Sequence, residues 1–391
     1  MTIKYNNLAA SHESFLPLFF KDVQKLFSEC DFIGASSKAV ANFEKEFAKY
    51  IGTEYALGVA SGTDALLLAF DAIGISSGDE VIMPAFGFIA TADVVVRLGG
   101  KPVFVDIDPE TCNIDVKQIE GRITARTKAI APVHLFGQSC DMQPILDIAE
   151  KHSTLNHKIW IVEDVAQSCG TYASLKNGKK CGAVGDFGCF SFYPTKNLGA
   201  AGDAGAITCN SPEMAEKIRK YRDHGRNTIG DYEIVGYNSR LDTIQAYYLS
   251  RKLEELDENL LDRIANARLY GELLSGLDNI RTPEVPDEED NMPTNTFNYY
   301  TIRVSRRDNR DRLRNWLKEK NIETCIYYPI SMHMTSALKP LGYDKGDFKE
   351  AEKAATEVLS LPVWPGLLRN DIQAVCKAIK EFINNSSSTK Y

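Results

Sequence analysis

Apolar residues follow two different periods along the first half of the chain. Val40, Phe43 and Phe47 recur at a spacing of three to four residues, which predicts an amphipathic helix over residues 37–50 that Gly52 ends. Short apolar runs without this spacing alternate with further helical patterns and are typical of buried strands. Such runs predict strands at residues 55–60, 80–84, 102–106, 128–135 and 158–164.

This alternation of strand and helix indicates an α/β fold with a mostly parallel central sheet that is covered by helices on both faces. A long helical run over residues 241–277 then leads to a second, smaller α/β pattern, with strands at 299–304 and 323–328 and a helix at 351–359. We therefore expect three parts: an N-terminal arm over 1–35, a large domain over 36–245, and a connecting helix with a small C-terminal domain over 246–391.

The stretch 185–199 carries the first candidate for chemistry. Aromatic and small residues alternate through it as in a half-buried strand, and Pro194 then directs the chain out of the sheet. Lys196 lies directly after this break, and the glycines that follow allow a tight turn close to another group. A single lysine in such a place is most often a solvated surface charge, so this stretch alone does not identify a site.

A carboxylate ends the apolar strand at 158–164. Asp164 would lie at the carboxyl end of a parallel strand, where open α/β sheets bind their ligands, so it is a candidate partner for a protonated ring nitrogen. The alternative is that Asp164 only caps a following helix.

Ser61, Gly62 and Thr63 form a turn that leads into a helix. A helix start of this kind offers free N–H groups and a positive dipole end to a phosphate. Simple N-capping by Ser61 or Thr63 explains the same residues.

Taken together, these residues match the needs of one cofactor. Pyridoxal 5'-phosphate requires a lysine that binds its aldehyde, an acid that keeps its pyridine nitrogen protonated and a cradle for its phosphate. Lys196, Asp164 and the turn at 61–63 are candidates for these three roles.

Four motifs in this order resemble one enzyme family. The segments at 61–66, 163–168, 191–196 and 237–242 are similar to those of the DegT/StrS family of pyridoxal-phosphate-dependent nucleotide-sugar aminotransferases. The resemblance runs from about residue 32 to about residue 365. It implies a fold-type I transferase, related in architecture to aspartate aminotransferase, that works as a transaminase.

The resemblance also implies roles for individual residues. Lys196 would bind the cofactor and move protons, and Asp164 would hold the proton on its ring nitrogen. Phe88 would stack on the ring, although a loop aromatic that plugs the core is the alternative. Asn238 would reach the phosphate from the partner subunit, which implies a homodimer with shared active sites. The remaining cofactor contacts are Gln167 at the ring, and Gly62, Thr63 and Ser191 at the phosphate.

Four residues are candidates for the substrate side. His134 ends a predicted strand and either touches the substrate or is a hydrogen-bonded structural histidine. Arg240 either contacts an anionic group of the substrate or pairs with Asp242 or a backbone carbonyl. Tyr327 stands where many relatives carry a histidine near the sugar, and His333 is a candidate for the acceptor side.

The reaction that the resemblance implies is amination of a sugar. The amino group of L-glutamate would pass to a keto group of a nucleotide-linked deoxy sugar, in amino-sugar biosynthesis for a surface glycan such as the O-antigen of lipopolysaccharide. Gln138 favours a 3-keto over a 4-keto sugar, and lysine at 196, where family members that dehydrate sugars carry histidine, favours transamination. Two alternatives stay open. One is an aminotransferase for a nucleotide-free keto or aldehyde sugar acid such as a keto-octulosonate, and the other is a non-catalytic sensor with the same fold.

Composition narrows the class of protein further. A net charge of −8 without a long basic cluster argues against a nucleic-acid partner. Nine cysteines without paired spacing predict reduced core residues and no metal site. No apolar run approaches the roughly 20 residues of a membrane helix. Because the N-terminal residues also lack the layout of a signal peptide, we expect a cytoplasmic protein.

Overall fold

The computed structural model describes residues 2–9, 14–33, 37–173, 178–285 and 292–387. Within these ranges the chain folds around two β-sheets, one of seven strands and one of three. The expected arm over 1–35 lies partly outside the described residues.

The larger sheet supports most of the chain. Its strands are β1 (Tyr55–Val59), β2 (Glu80–Pro84), β3 (Lys101–Val105), β4 (Thr127–Ile130), β5 (Trp160–Asp164), β6 (Phe187–Ser191) and β7 (Gly205–Cys209). They lie in the order β1-β7-β6-β5-β4-β2-β3, and only the two pairs that involve β7 are antiparallel. The prediction of a mostly parallel central sheet is therefore confirmed.

All strands of this sheet except β7 point the same way. Their carboxyl ends meet at one edge of the sheet, together with the amino end of β7. We call this the carboxyl edge. It receives the residues that follow β1, β2, β5 and β6, so motifs that are far apart in the sequence arrive at one place.

Helices cover both faces of the larger sheet. The helices of the described residues are α1 (Leu16–Glu29), α2 (Lys38–Ile51), α3 (Gly62–Ala72), α4 (Ala90–Arg97), α5 (Val116–Ile119), α6 (Met142–His152), α7 (Pro212–Tyr221), α8 (Thr243–Glu254), α9 (Leu256–Leu274), α10 (Arg307–Glu319), α11 (Lys349–Glu357) and α12 (Arg369–Ser387), of which α9, α10 and α12 pack against the smaller sheet described below. The core under α3, α4 and α7 contains Phe70 and Phe104, and the core under α2, α6 and α8 contains Phe43, Phe47 and Phe190. Within the described ranges, no helix is both long and apolar enough to cross a membrane.

Capping residues fix where the helices next to the site begin and end. The Ser37 side chain accepts a hydrogen bond from the backbone N–H of Val40, and α2 ends before Gly52, whose φ of +89° is readily adopted only by glycine. The Ser61 side chain in the same way accepts from the N–H of Asp64 at 3.1 Å, so α3 begins directly after β1.

The smaller sheet is antiparallel and belongs to the C-terminal part of the chain. It consists of β8 (Ile280–Arg281), β9 (Tyr300–Val304) and β10 (Val358–Leu361) in the order β10-β9-β8. Helices α9, α10 and α12 share a separate apolar core with it, in which the rings of Tyr270 and Tyr300 stack at 4.8 Å. The exact domain boundary near residue 245 stays a prediction.

Two helical predictions differ from the structure in this part. The run over 241–277 is not one helix, because α8 and α9 meet at Glu255. The helix predicted over 351–359 ends at Glu357, where the chain enters β10. Leu359 is buried in the smaller core as a strand residue, since its apolar neighbours pack between β9 and the helices.

The strand predicted over 323–328 is also wrong. This segment meets the smaller sheet only at an isolated bridge between Cys325 and Ser360. Its tyrosines contact other residues instead: the ring centre of Tyr327 lies 4.3 Å from that of Tyr299, and the Tyr328 hydroxyl accepts a hydrogen bond from Gln167.

The N-terminal residues lie on the C-terminal part. Ile3 forms a bridge with Ile322, and the indole N–H of Trp364 donates to the carbonyl oxygen of Lys4 at 3.0 Å. We call residues 2–9 the N-terminal strap, because these contacts tie the two ends of the described chain together.

The cysteines are free thiols. All are buried except Cys30, which is exposed, and Cys325, which is half-buried, so these two depart from the predicted core position. Among the residues that the structure describes, no group of three or more His, Cys, Asp or Glu is placed to hold a metal ion.

Candidate active site

The last residue of β5 is a buried carboxylate at the carboxyl edge. Asp164 is 6 % exposed, and its Oδ2 accepts a hydrogen bond of 2.7 Å from the hydroxyl of Thr91 in α4. Its Oδ1 accepts from the backbone N–H of Ala166 at 3.1 Å. These donors orient the carboxylate and leave acceptor capacity for a cationic group. The residues that follow form turns, so helix capping does not account for Asp164.

The preceding residue, Glu163, faces the other side of the sheet and explains His134. Oε2 of Glu163 lies 3.0 Å from Nε2 of His134, and the backbone N–H of Cys140 donates to Nδ1 of the same ring at 3.0 Å. Nδ1 therefore carries no proton, and the Nε2–H group donates to Glu163. Because the ring is fully buried and both of its nitrogens are engaged, His134 is structural and leaves the set of substrate candidates.

The start of α3 and the end of β6 lie side by side and form the candidate phosphate cradle. The Ser61 side chain accepts from Asp64, so the first N–H groups of the helix, those of Gly62 and Thr63, have no acceptor within the helix. A Cβ placed on Gly62 would lie 2.5 Å from Cβ of Ser191, so only glycine allows this approach. A helix start beside a serine hydroxyl is suited to an anion.

The loop between β6 and β7 carries Lys196. Its ends are fixed, because the N–H of Phe192 donates to the carbonyl of Ala204 at 2.8 Å and the N–H of Ala200 donates to the carbonyl of Phe192 at 2.7 Å. The Lys196 side chain is half-buried, and its Nζ lies 5.7 Å from the ring centre of Tyr299. No carboxylate among the described residues lies within 4.0 Å of this amine, so no ion pair holds it.

Two aromatic rings and an amide lie near Asp164. Phe88 is 55 % exposed and therefore does not plug the core, and its ring centre lies 6.0 Å from that of Tyr328. The Tyr328 hydroxyl accepts a hydrogen bond of 2.9 Å from Nε2 of Gln167, whose Oε1 accepts from a backbone N–H at 2.8 Å. Burial, followed by the nearby Tyr299 and Asp164, raises the pKa of Tyr328 well above its ordinary value, so its hydroxyl stays protonated.

Tyr327 belongs to a stack of tyrosines beside Lys196. Its ring lies 4.3 Å from that of Tyr299 and 6.1 Å from that of Tyr5 in the N-terminal strap. Burial raises the pKa of Tyr327 above its ordinary value. Since Tyr299 is also the aromatic neighbour of the Lys196 amine, Tyr327 lies close to the candidate cofactor residues.

Arg240 forms an ion pair, but not with the residue expected. Its Nη1 donates to Oδ1 of Asp223 at 2.5 Å, whereas Asp242 had been considered from the sequence. Its Nε is buried and has no hydrogen-bond partner among the described residues. A contact between Arg240 and a substrate anion therefore stays a prediction.

Asn238 is exposed on the surface of this chain. The next residue, Ser239, donates from its hydroxyl to Oδ2 of Asp64 at 2.9 Å. Because Asp64 lies in the first turn of α3, this bond places the segment next to the helix start that forms the cradle.

His333 is buried on the side of α11. Its Nε2 lies 3.2 Å from Oε1 of Glu352, and its ring centre lies 4.8 Å from that of Phe348. The structure records no contact between His333 and the described candidate residues around the cradle, Asp164 or Lys196. Its proposed place on the acceptor side has no support from these contacts.

The residues at the carboxyl edge fit pyridoxal 5'-phosphate. The absence of a Cβ at Gly62 lets the start of α3 lie against Ser191, Asp164 retains acceptor capacity, and the Lys196 amine has no ion pair. When bound, this cofactor supplies an aldehyde carbon that reacts with amines and a ring that accepts electrons. The residues that would hold it are Lys196 at the aldehyde, Asp164 at the ring nitrogen, Phe88 and Gln167 along the ring, and Gly62, Thr63 and Ser191 at the phosphate.

Three side chains of this site were not among the residues predicted from the sequence. Thr91 is the polar member of the buried face of α4, which otherwise consists of alanine and valine, and its place on that apolar face is the signal that could have identified it. Tyr299 and Tyr328 come from the C-terminal part of the chain, and nothing local in the sequence indicates that they reach the carboxyl edge.

Comparisons with known proteins match most of the chain. Residues 21–380 match the model of the DegT/DnrJ/EryC1/StrS aminotransferase family. The chain is 41 % identical over 384 residues to a "Pleiotropic regulatory protein" of Geobacillus stearothermophilus. This alignment covers 98 % of this chain and 99 % of the relative. It is 40 % identical over 340 residues to the UDP-2-acetamido-2-deoxy-3-oxo-D-glucuronate aminotransferase of Pseudomonas aeruginosa, which covers 87 % of this chain and 89 % of that enzyme.

A solved structure shares the same architecture. The crystal structure of DesV from S. venezuelae in complex with a ketimine intermediate matches with a TM-score of 0.90 and 35 % sequence identity. The match covers 98 % of both chains, so both sheets of this chain have counterparts in that enzyme.

Proposed function

This chain belongs to the DegT/DnrJ/EryC1/StrS aminotransferase family, and from this premise we propose a specific reaction for it. It is a pyridoxal-phosphate-dependent sugar aminotransferase for nucleotide-linked keto sugars. In our proposal it transfers the amino group of L-glutamate to the 3-keto group of a deoxy sugar, in the cytoplasm, for the synthesis of a surface glycan.

One observation carries the proposal for the site. Three features that a transaminase needs lie at one edge of one sheet: an unpaired lysine amine, a buried carboxylate with spare acceptor capacity, and a helix start pressed against a serine. A sheet of this topology binds its ligand at this edge.

Each residue has a separate task in the reaction. Lys196 moves a proton between the two carbons that flank the transferred nitrogen, and its amine must be neutral to accept that proton. With the cofactor bound, Asp164 would keep the proton on its ring nitrogen and so support the electron-accepting chemistry that the cofactor supplies. Thr91 and the N–H of Ala166 keep the carboxylate oriented.

Borohydride reduction tests the assignment of the lysine. Treatment of the purified holoenzyme should fix the cofactor to Lys196, and peptide mapping should find the label on that residue alone. The variant Lys196→Ala should carry no label although it folds. A label on another lysine of the holoenzyme would contradict the assignment.

The donor is tested separately from the acceptor. A protonated lysine-bound cofactor absorbs at about 410 nm. L-glutamate alone should remove this absorbance, and a keto sugar should restore the absorbance. L-aspartate and L-alanine serve as matched amino acids. Loss of absorbance with one of these and not with glutamate would replace the donor and leave the rest of the proposal intact.

Support for a 3-keto acceptor comes from a relative. The aminotransferase of Pseudomonas aeruginosa is named for a UDP-linked 3-oxo sugar acid. Mass spectrometry of products from UDP-, dTDP- and GDP-linked 3-keto and 4-keto sugars should show amination of a 3-keto member. Amination of only 4-keto sugars would overturn the choice of carbon, and reaction with only a nucleotide-free keto sugar acid would overturn the nucleotide.

We also place the active site at the interface of a homodimer. Asn238 is exposed beside the start of α3, which suits a contact across an interface. Lys196→Ala and Asn238→Ala should each be inactive alone. Mixed after unfolding and refolding together, they should recover about a quarter of wild-type activity, because half of the dimers then contain one intact site. No recovery from a mixture that forms dimers would show that each chain supplies its own Asn238.

The name of one relative raises a competing proposal. The protein of Geobacillus stearothermophilus is called a pleiotropic regulatory protein, which suggests a binding role without turnover. A protein of that kind has no use for both a free lysine amine and an oriented Asp164. Repeated turnover with glutamate and a keto-sugar nucleotide decides for the enzyme, whereas binding without product decides for the regulator.

A further inference from the structure

A pocket behind the loop of Lys196 is lined by unpaired positive charge. It lies between this loop, the N-terminal strap and helices α8 and α9, and its cavity volume of about 20 Å³ is enough for one water-sized species. Its lining includes Asn6, Lys196, Lys252, Asn259, Arg263 and Trp364. Only Lys196 is shared with the candidate cofactor residues, so this pocket is separate from the phosphate cradle.

Lys252 is a buried cation without an anionic partner. Its side chain is 7 % exposed, and no carboxylate or hydrogen-bond acceptor for its Nζ is recorded among the described residues. Its aromatic neighbour is Tyr248, whose ring centre lies 5.8 Å from Nζ. An ammonium group in this position is largely desolvated and has gained no counter-charge.

Arg263 is the second buried cation of the same pocket. It is 5 % exposed, and its Nη1 donates to the carbonyl oxygens of Phe297 at 3.3 Å and Val363 at 3.5 Å. The part of the chain that the structure describes offers no carboxylate within ion-pair distance. Its other guanidinium donors therefore remain available to a ligand.

The two charges make each other less favourable. Burial, and after it the charge of Arg263, lowers the pKa of Lys252 to about 8, and Glu255 opposes this shift only in part. Burial lowers the pKa of Arg263 to about 10. Two positive charges that are buried in the same pocket destabilise the fold unless an anion lies between them.

We infer that this pocket binds a small inorganic anion between Lys252 and Arg263. The amides of Asn6 and Asn259 supply neutral donors around it, and residues of the Lys196 loop form part of the wall. Occupancy therefore stabilises the loop that carries Lys196. The inference does not depend on which sugar the enzyme aminates.

Bromide is the direct probe of the site. Crystals of the holoenzyme grown in sodium bromide and measured at the bromine absorption edge should show an anomalous peak within hydrogen-bond distance of Lys252 Nζ and the Arg263 guanidinium. A water molecule without anomalous signal, or a carboxylate of a second copy in the pocket, would overturn the inference. Sodium sulfate in place of bromide shows whether the site accepts a larger anion.

Thermal unfolding supplies a readout in solution. Replacing gluconate with chloride at constant ionic strength should raise the Tm of the wild type by about 2 °C. The shift should vanish in Lys252→Met, which keeps an unbranched side chain one atom shorter than that of lysine and removes its charge. Lys353→Met, at an exposed lysine of α11, is the control and should keep the full shift.

The two salts also separate anion binding from a purely structural lysine. In gluconate, Lys252→Met should unfold at the same temperature as the wild type or a higher one, because an unpaired buried charge has been removed. If Lys252→Met lowers the Tm equally in both salts, Lys252 supports the fold directly and the anion site is refuted.

Discussion

Glu163 and Asp164 are consecutive carboxylates of β5 with different surroundings. Glu163 is fully buried, and its oxygens accept from His134 and from three backbone N–H groups of the turn at 182–185. Asp164 is nearly as buried, but the donors recorded for its oxygens are the Thr91 hydroxyl and one backbone N–H. Burial therefore does not distinguish the two.

The difference between them is unused acceptor capacity. A carboxylate offers about four lone-pair sites. Glu163 has four donors within the fold, whereas Asp164 has two and lies at the strand end where the sheet opens. Because side chains alternate across a strand, one residue of chain separates an acid that holds the fold from an acid that can hold a ligand.

The strongest test removes the charge of Asp164, the carboxylate with unused acceptor capacity. Asp164→Asn should lower kcat by about 10³-fold, because an amide cannot hold a proton on the ring nitrogen, while the Tm should stay within about 2 °C. Product formation and thermal unfolding measure the two effects. Asp93→Asn, at an exposed carboxylate of α4, should change neither. A kcat within tenfold of wild type would contradict the role of Asp164.

The matching change at Glu163, whose acceptor sites are all used, should lower stability and not kcat. Glu163→Gln should lower the free energy of unfolding by about 3 kcal/mol, because it weakens charged hydrogen bonds to His134 and to the turn at 182–185. Urea unfolding measures this loss. The kcat of the folded fraction should stay within about tenfold of wild type. If kcat falls as far as in Asp164→Asn with stability unchanged, the two acids are not divided in this way.

A smaller effect should follow from the hydroxyl that orients Asp164. Thr91→Val keeps the shape of the side chain and removes one hydrogen bond to a carboxylate, so kcat should fall about tenfold. Thr91→Ser should restore most of the loss. Steady-state kinetics with saturating donor and acceptor provide the measurement. Equal loss in both variants would indicate that the methyl group matters and not the hydroxyl.

The smallest loss of kcat is expected for a change at Tyr328, which is hydrogen-bonded to Gln167. Tyr328→Phe leaves the Gln167 amide without its acceptor, which should cost about 1 kcal/mol of stability and about threefold in kcat. Because the raised pKa keeps the Tyr328 hydroxyl protonated, the alkaline side of the pH–rate profile should be the same in both proteins up to pH of about 10. A changed alkaline limb would mean that this hydroxyl titrates during the reaction.

The sequence predicts well what depends on local pattern. The alternation of strands and helices gives a mostly parallel sheet, and parallel strands bring the residues that follow them to one edge, so Asp164 and Lys196 could be nominated without a structure. The cradle could be nominated as well, because a turn of small residues before a helix has a recognisable form.

The remaining features depend on tertiary contacts that no local pattern carries. His134 has the residue type and strand-end position of a substrate contact, and only the positions of Glu163 and the backbone of Cys140 show that its nitrogens are taken. In the same way, the segment expected as a strand at 323–328 makes contacts with residues that are far away in the sequence, Tyr299 and Gln167. Propensity favoured a strand there, and packing overruled it.

The loop of Lys196 differs from the flexible lids that close over many active sites. Phe192, which follows β6, exchanges backbone hydrogen bonds with Ala200 and with Ala204, which precedes the antiparallel strand β7, so both ends of the loop are fixed. The conformational entropy of this segment is therefore lost when the sheet assembles and not when a substrate arrives. We expect limited proteolysis to spare the peptide bonds around residue 196 with or without substrate, and inhibitors that modify this amine to meet it already in position.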